Sequence, residues 1–212
     1  MKRAKIGFVV GLQAEARLLR GLGFRVAIGG GLPEGAAKAA EALIAADAEA
    51  LISFGLAGGL AFGMRPGRIL VPATVIAGGE VYPCDADLLA WLGGATAPAI
   101  LGGRRVAVTT DQKARLFSES GAGAIDLESG AVARVATEAT VPFAVLRAVA
   151  DPADRDLPPA ALIALSGAGR IQLARVLGSV LGQPTQIAEL IRLGRHAAAA
   201  RSTLQRKLLQ LV

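Results

Sequence analysis

Residues 141–150, VPFAVLRAVA, constrain this chain more than any other stretch. An almost unbroken run of β-branched and apolar residues reads as a buried strand, and Asp151-Pro152 ends it abruptly. In an open α/β sheet, ligands bind beyond the carboxyl ends of the strands, and Asp151 falls there. Upstream, AIDLESGAVA (124–133) places Asp126 and Glu128 where a second apolar run opens a helix. Three carboxylates therefore lie near two chain turns. Each also has a plain structural reading. Asp151 can cap the next turn, and Glu128 can sit solvated in a helix's first turn, where the dipole favours it.

The preceding chain alternates strand and helix patterns. KIGFVV (5–10) reads as a central strand ending at Gly11, and LQAEARLLRGL (12–22) turns into a helix. That puts Glu15 just beyond a strand end. Residues 24–61 give strand, glycine turn, helix, strand and a second glycine turn. Gly29, Gly30 and Gly31 precede Pro33, which suits a first helical turn. Such a turn can cradle an anion or a ribose with its backbone N–H groups. It is not a dinucleotide fingerprint, because Glu34 stands where GxGxxG counted from Gly29 needs its last glycine. Residues 64–94 suggest a long strand, a hairpin and a short helix, with Tyr82 and Trp91 as packing groups. Residues 104–129 read strand, helix, strand.

Taken together, DLESGAVA, LRAVADPAD and the glycine turns resemble the nucleoside phosphorylase and nucleosidase superfamily. That superfamily has a methionine-glutamate helix start, where this chain has Leu127-Glu128, and a later R-x-x-S-D strand end. The form R-x-x-x-D-P-A-D, with Leu157, Pro158 and Pro159 soon after, is most similar to the hopanoid-associated phosphorylases. Those bacterial enzymes are assigned the removal of adenine from adenosylhopane. The resemblance covers most of residues 5–160.

It implies a three-layer αβα fold with a mixed, twisted central sheet, as one domain over residues 1–212. It also implies cleavage of a purine N-glycosidic bond, with Asp151 as leaving-group acid and Glu15 orienting water. Glu128 and Leu127, with Gly29, Gly30, Ala57 and Gly58, would line the substrate. Departures bear on the nucleophile and the base. In SFGLAGGL (53–60), Leu56 replaces a serine and Ser53 replaces the phosphorylase arginine, so two phosphate ligands are lost. Two residues after Asp111, relatives carry an aromatic that stacks on the purine; here it is Lys113. Hydrolysis is therefore favoured modestly over phosphorolysis. No cofactor is implied, and inorganic phosphate enters at most as a co-substrate. A homodimer is expected.

Composition bounds the alternatives. Hydrophobic residues make up 53% and aromatics 4%, as in a tightly packed α/β core. No apolar run reaches the roughly 18 uncharged residues of a membrane span. The single Cys84 excludes an internal disulfide and fits a reducing cytoplasm, and one His with one Cys cannot form a structural zinc centre. Residues 1–154 hold 15 Lys+Arg and 15 Asp+Glu, whereas residues 155–212 hold 8 against 2, so the tail carries the whole net +6. Helical patterns fill this tail (162–183, then 184–212). In the second, Ile187, Leu190, Ile191, Ala198 and Leu208 are expected on one face, with Arg192, Arg195, Arg201, Arg206 and Lys207 opposite. His196 is expected there without a catalytic role. Such a tail suits peripheral contact with an anionic inner-membrane surface, where a lipid-tailed nucleoside would be met. With almost no aromatics to stack bases, nucleic-acid binding is disfavoured. A 5′-modified adenosine nucleosidase and a catalytically silent nucleoside binder remain as alternatives.

Overall fold

The computed structural model describes residues 2–158 and 186–212. The helical pattern of residues 162–183 lies outside them. The elements are β1 (Ile6–Val10), α1 (Gln13–Ala16), β2 (Arg25–Ile28), α2 (Pro33–Ala45), β3 (Ala50–Gly59), β4 (Ile69–Leu70), β5 (Pro72–Ala77) and β6 (Glu80–Pro83). They continue with α3 (Ala86–Trp91), β7 (Ala97–Gly102), α4 (Thr110–Ser120), β8 (Ala124–Asp126), α5 (Ser129–Glu138), β9 (Phe143–Asp151) and α6 (Gln186–Leu209).

The strands form one mixed sheet in the order β2-β1-β3-β8-β7-β5-β6, with β9 beside β3 and β4 beside β9. β1 is buried at every position, as a central parallel strand must be, and Phe8 packs on Phe24 and Phe54. α2 and α5 pack against each other on the sheet, and α6 covers β9 and β3. Helices on both sides of a mixed sheet make the fold the expected α/β architecture.

One irregularity of the sheet positions everything that follows. β3 runs parallel to β9 from Leu51 to Ala57, then its register shifts between Ala57 and Gly58. Beyond that bulge Gly58 and Gly59 pair antiparallel with Ile125 and Ala124 of β8. The sheet therefore divides at Gly58. The end of β9, carrying Asp151, leaves on one side, and β8, ending at Asp126, enters on the other. A bulge that splits a sheet opens a crevice between strand ends, with polar side chains facing into it.

Two expectations are corrected. Residues 104–108 form no strand; the strand lies earlier, at APAILG. Pro98 sits at its exposed second position, before the pairing with β8 begins at Ile100, so the missing N–H costs no ladder bond there. On α6, Ala200, Leu204 and Leu208 are buried, whereas Ile187, Ile191 and Ala198 are exposed. Apolar residues occur on two faces of this helix, roughly 100° apart at 3.6 residues per turn. The face bearing Ala197 and Ala200 docks because small side chains let the helix approach the sheet closely. No helix among the described residues is long and apolar enough to cross a membrane.

Candidate active site

A fully buried arginine organises the crevice. Arg147 lies in the middle of β9 and is 1% exposed. A guanidinium so placed requires partners, since an unpaired charge in an apolar interior is very costly. Its Nε lies 2.6 Å from Asp126 Oδ2, out of line for a hydrogen bond, so this contact is ionic. Its Nη2 lies 3.0 Å from Glu128 Oε2 and donates to Ser53 Oγ at 2.7 Å. Ser53 Oγ is 3.1 Å from Ser129 Oγ, and the Ser129 hydroxyl donates to Asp126 Oδ2. The backbone N–H of Ser129 closes this turn onto Asp126 Oδ1 at 2.9 Å. Asp126 thus caps the start of α5, and that cap sets Glu128 facing inward.

Glu15 completes the cluster from the opposite wall. It is buried in α1, and its Oε2 accepts from the N–H groups of Gly11 (2.9 Å) and Leu12 (2.8 Å). Oε1 accepts from Leu56 N–H at 2.9 Å, which leaves that oxygen room for one more donor. Two glycines make the approach possible. A Cβ on Gly55, whose φ is +151°, would overlap Glu15 Oε1 and fall 2.6 Å from Arg147 Nη1. A Cβ on Gly11 would overlap Glu128 Oε1.

Three carboxylates around one guanidinium leave an excess of negative charge. Burial pushes the Glu128 carboxyl up to about 7, with Asp126 and Glu15 adding to the effect and Arg147 opposing it. Burial also raises Glu15, against Arg147 and the three backbone donors. Burial works against the Arg147 charge, yet its carboxylate neighbours outweigh this and hold the guanidinium above its ordinary value.

Asp151 stands at the end of β9, with Oδ2 2.6 Å from the Nζ of Lys113 on α4. Burial raises its pKa above the usual carboxylate range. The Lys113 hydrogen bond and charge oppose that, and Asp154 and Asp156 reinforce it. Lys113, read from the sequence as standing in a stacking aromatic's place, is instead wholly buried and turned onto this carboxylate. Gly58 lies beside the pair, a Cβ there falling 3.7 Å from Asp151 Oδ2.

Among the other residues singled out, Leu127 is half-buried between β8 and α5. Gly29 presses on the backbone of Ala36 and Gly35 at the start of α2, which a side chain would prevent. Gly30, at φ +79°, turns the chain beside Gly31, which faces Glu128 Oε1. Ala57 is packed into the core. An open cleft of about 860 Å³ lies on the Asp126 side of β8, with apolar walls from Leu32, Val106, Leu116 and Ile125 and charged ones from Arg104, Arg105, Arg115, Glu34 and Glu119; none of the cluster carboxylates lines it. A second, much smaller cavity of about 20 Å³ brings His196, Arg192 and Glu189 of α6 to Asp151. His196, expected to be a bystander on its helix, therefore lines the pocket of the acid. Its pKa is lowered by burial and by Arg155 and Arg192, against Asp154.

The sequence reading did not include Arg147, Ser53 or Ser129 among the site residues. Arg147 carried a signal: one charged residue inside an otherwise apolar buried strand must meet counter-charges. Ser53 was noted only for the arginine it replaces.

Residues 98–181 match the family model described as the phosphorylase superfamily. A search of curated protein sequences returns no match. Among solved structures, the chain is similar to a futalosine hydrolase mutant from Helicobacter pylori, with 16% identity, TM-score 0.69, and 98% of this chain and 99% of that one covered. It is equally similar to a mutant Helicobacter pylori MTAN holding 5′-methylthioadenosine in its active site, with 16% identity, TM-score 0.69, and 99% and 100% coverage. An S-adenosylhomocysteine nucleosidase from Streptococcus pyogenes, in complex with 5-methylthiotubericidin, matches at 20% identity and TM-score 0.64, covering 85% of this chain and 97% of that one.

Proposed function

We propose that this chain, whose residues 98–181 match the phosphorylase superfamily model, is an enzyme that hydrolyses the N-glycosidic bond of a purine nucleoside. One observation carries the reading: three buried carboxylates surround a single arginine at the crevice where the sheet divides, with a fourth carboxylate, Asp151, at the neighbouring strand end. Breaking this bond builds positive charge on the sugar and negative charge on the base. Glu128 would accept hydrogen bonds from the ribose hydroxyls and stabilise the cationic sugar in a site shut off from water's screening. Asp151, held above the ordinary carboxylate range, would protonate the departing base. Glu15 would use the free capacity of Oε1 to orient the attacking water.

Water is favoured over phosphate by charge. Arg147 is the cation of the carboxylate cluster, and it is committed to Asp126, Glu128 and Ser53. Ser53 stands where a phosphorylase places an arginine, and the excess of carboxylates repels an incoming anion.

For the substrate, the R-x-x-x-D-P-A-D form supports adenosylhopane, whose bulky 5′ group would need an open cleft such as the one beside Gly103 and Ile125, where apolar and charged walls meet. Exposed Arg195 and Arg206 on α6 fit the approach to an anionic membrane surface that a lipid-tailed substrate requires. A second reading, a 5′-methylthioadenosine type of nucleosidase, draws on the similar structures that hold such nucleosides. The test is incubation with adenosylhopane and with 5′-methylthioadenosine, each with and without phosphate, followed by separation of adenine and sugar products. Free adenine with an unphosphorylated sugar supports hydrolysis, and a sugar 1-phosphate overturns it. Release of adenine from 5′-methylthioadenosine alone favours the second reading.

A further inference from the structure

Lys113 is a buried lysine with every proton spoken for. Its ammonium lies 2.6 Å from Asp151 Oδ2 and donates to Pro152 O at 2.9 Å and Arg155 O at 2.6 Å. Three donors meet three acceptors, the condition under which a buried ammonium is tolerated. The same stretch is tied to α4 twice more. Thr110 N–H donates to Asp156 Oδ1 at 2.7 Å, and Leu157 N–H donates to Val108 O at 2.8 Å. Thr109 and Gln112 cap α4 reciprocally, so the helix start that carries Lys113 is itself fixed. Asp151 Oδ2 is thus claimed by Lys113, and no described residue hydrogen-bonds Oδ1.

We propose that Lys113 is a positioning residue for the leaving-group acid: it fixes the Asp151 carboxyl so that Oδ1 faces the base, and it stabilises the carboxylate that remains after proton transfer. This rests on the reading of Asp151 as the acid. In the step, the bond between C1′ and the base nitrogen breaks and its electron pair passes to the base. The proton on Asp151 Oδ1 moves to a ring nitrogen of the base. Asp151 is left as a carboxylate paired with the Lys113 ammonium. Water adds to C1′ and gives its proton to Glu15, and solvent restores both carboxyl groups to their starting states. Lys113 keeps its protons throughout.

The charged groups facing Asp151 set the direction of the test. Lys113 comes from α4; Asp154, Arg155 and Asp156 from its own turn; and Glu189, Arg192 and His196 from α6. Removing the Lys113 charge leaves Asp154 and Asp156 beside Asp151, so its carboxyl should hold a proton to higher pH. The protein with Lys113→Gln should therefore cleave adenosine at least roughly 10-fold more slowly, with the alkaline limb of its pH profile displaced upward by about one unit. Lys113→Arg, which retains the charge, should keep the limb in place. The 4-nitrophenyl β-riboside, whose phenolate leaves without protonation, should lose much less than adenosine does.

Equal losses on both substrates with an unmoved limb would show a merely structural lysine and overturn the proposal. A wild-type protein that cleaves neither substrate overturns the functional reading, and this inference with it. Should Lys113→Gln fail to fold, NMR of the unmutated protein decides. The Lys113 ¹⁵Nζ resonance should shift in step with titration of the Asp151 carboxyl, and independence of the two would contradict the pairing.

Discussion

Glu128 Oε2 sits 3.0 Å from Arg147 Nη2 with both side chains withdrawn from solvent, and burial still pushes the Glu128 carboxyl up to about 7. The attraction of the guanidinium does not offset the loss of hydration and the nearby charges of Asp126 and Glu15. The carboxylate is therefore poised rather than settled, and a developing sugar cation would draw it into the ionised form.

Replacing Glu128 by Gln should reduce transition-state stabilisation by about 2–4 kcal/mol, the loss expected for one charge-stabilising contact in a dry site. Adenosine should suffer more than 2′-deoxyadenosine in kcat/KM. An equal loss on both would contradict a role for Glu128 on the ribose hydroxyls.

The acid limb of the pH–rate profile follows from the same carboxyl. Glu128 must be ionised to act, so kcat/KM should rise with pH through about 7, the value to which burial moves the group. Asp126→Asn removes a neighbouring negative charge that favours the protonated form. It also leaves Arg147 freer to attract Glu128. Both effects lower the Glu128 pKa, and the limb should move to lower pH. A limb that stays in place in a folded variant would exclude Glu128 as its source.

Arg147→Met should destabilise the fold by about 3–5 kcal/mol, because it strands buried carboxylates without a counter-charge. Gly55→Ala should also destabilise, through overlap with Glu15 and Arg147 at a positive φ. Thermal unfolding at pH 5 and pH 8 checks the first. The loss should be smaller at pH 5, where the stranded carboxyls can be protonated.

Much of this arrangement was legible in the sequence because the information was local. The apolar run over 141–150 and its Asp-Pro ending defined β9 and the place of Asp151. The Asp126 turn and the apolar run after Glu128 marked the start of α5. What escaped depended on contacts across the chain. Arg147 meets Asp126 and Glu128 only because β3, still paired with β9 on one edge, takes β8 on the other at Gly58. Lys113 meets Asp151 only because the start of α4 is stitched to the turn after β9. Pro98 obscured β7, and the valines of RRVAV mimicked a strand in its place. On α6 two apolar faces were present, and only docking on the sheet chose between them.

The basic residues of α6, with Arg195 and Arg206 exposed and Arg201 and Lys207 half-buried, give a prediction about location. Conversion of Arg195, Arg201, Arg206 and Lys207 to Gln should abolish salt-sensitive binding to phosphatidylserine vesicles and leave cleavage of adenosine unchanged. Arg192 is spared because it lines the cavity beside Asp151. Equal sedimentation of the unmutated protein with neutral and anionic vesicles at low salt would end the idea.

The most direct test of the central claim is the rate of adenine release by Asp151→Asn under saturating nucleoside, with folding verified by circular dichroism. Asparagine preserves the shape of the side chain and removes its transferable proton. The account predicts a fall of about 10²-fold or more, the size of a lost general acid. Near wild-type turnover in the folded variant would contradict it.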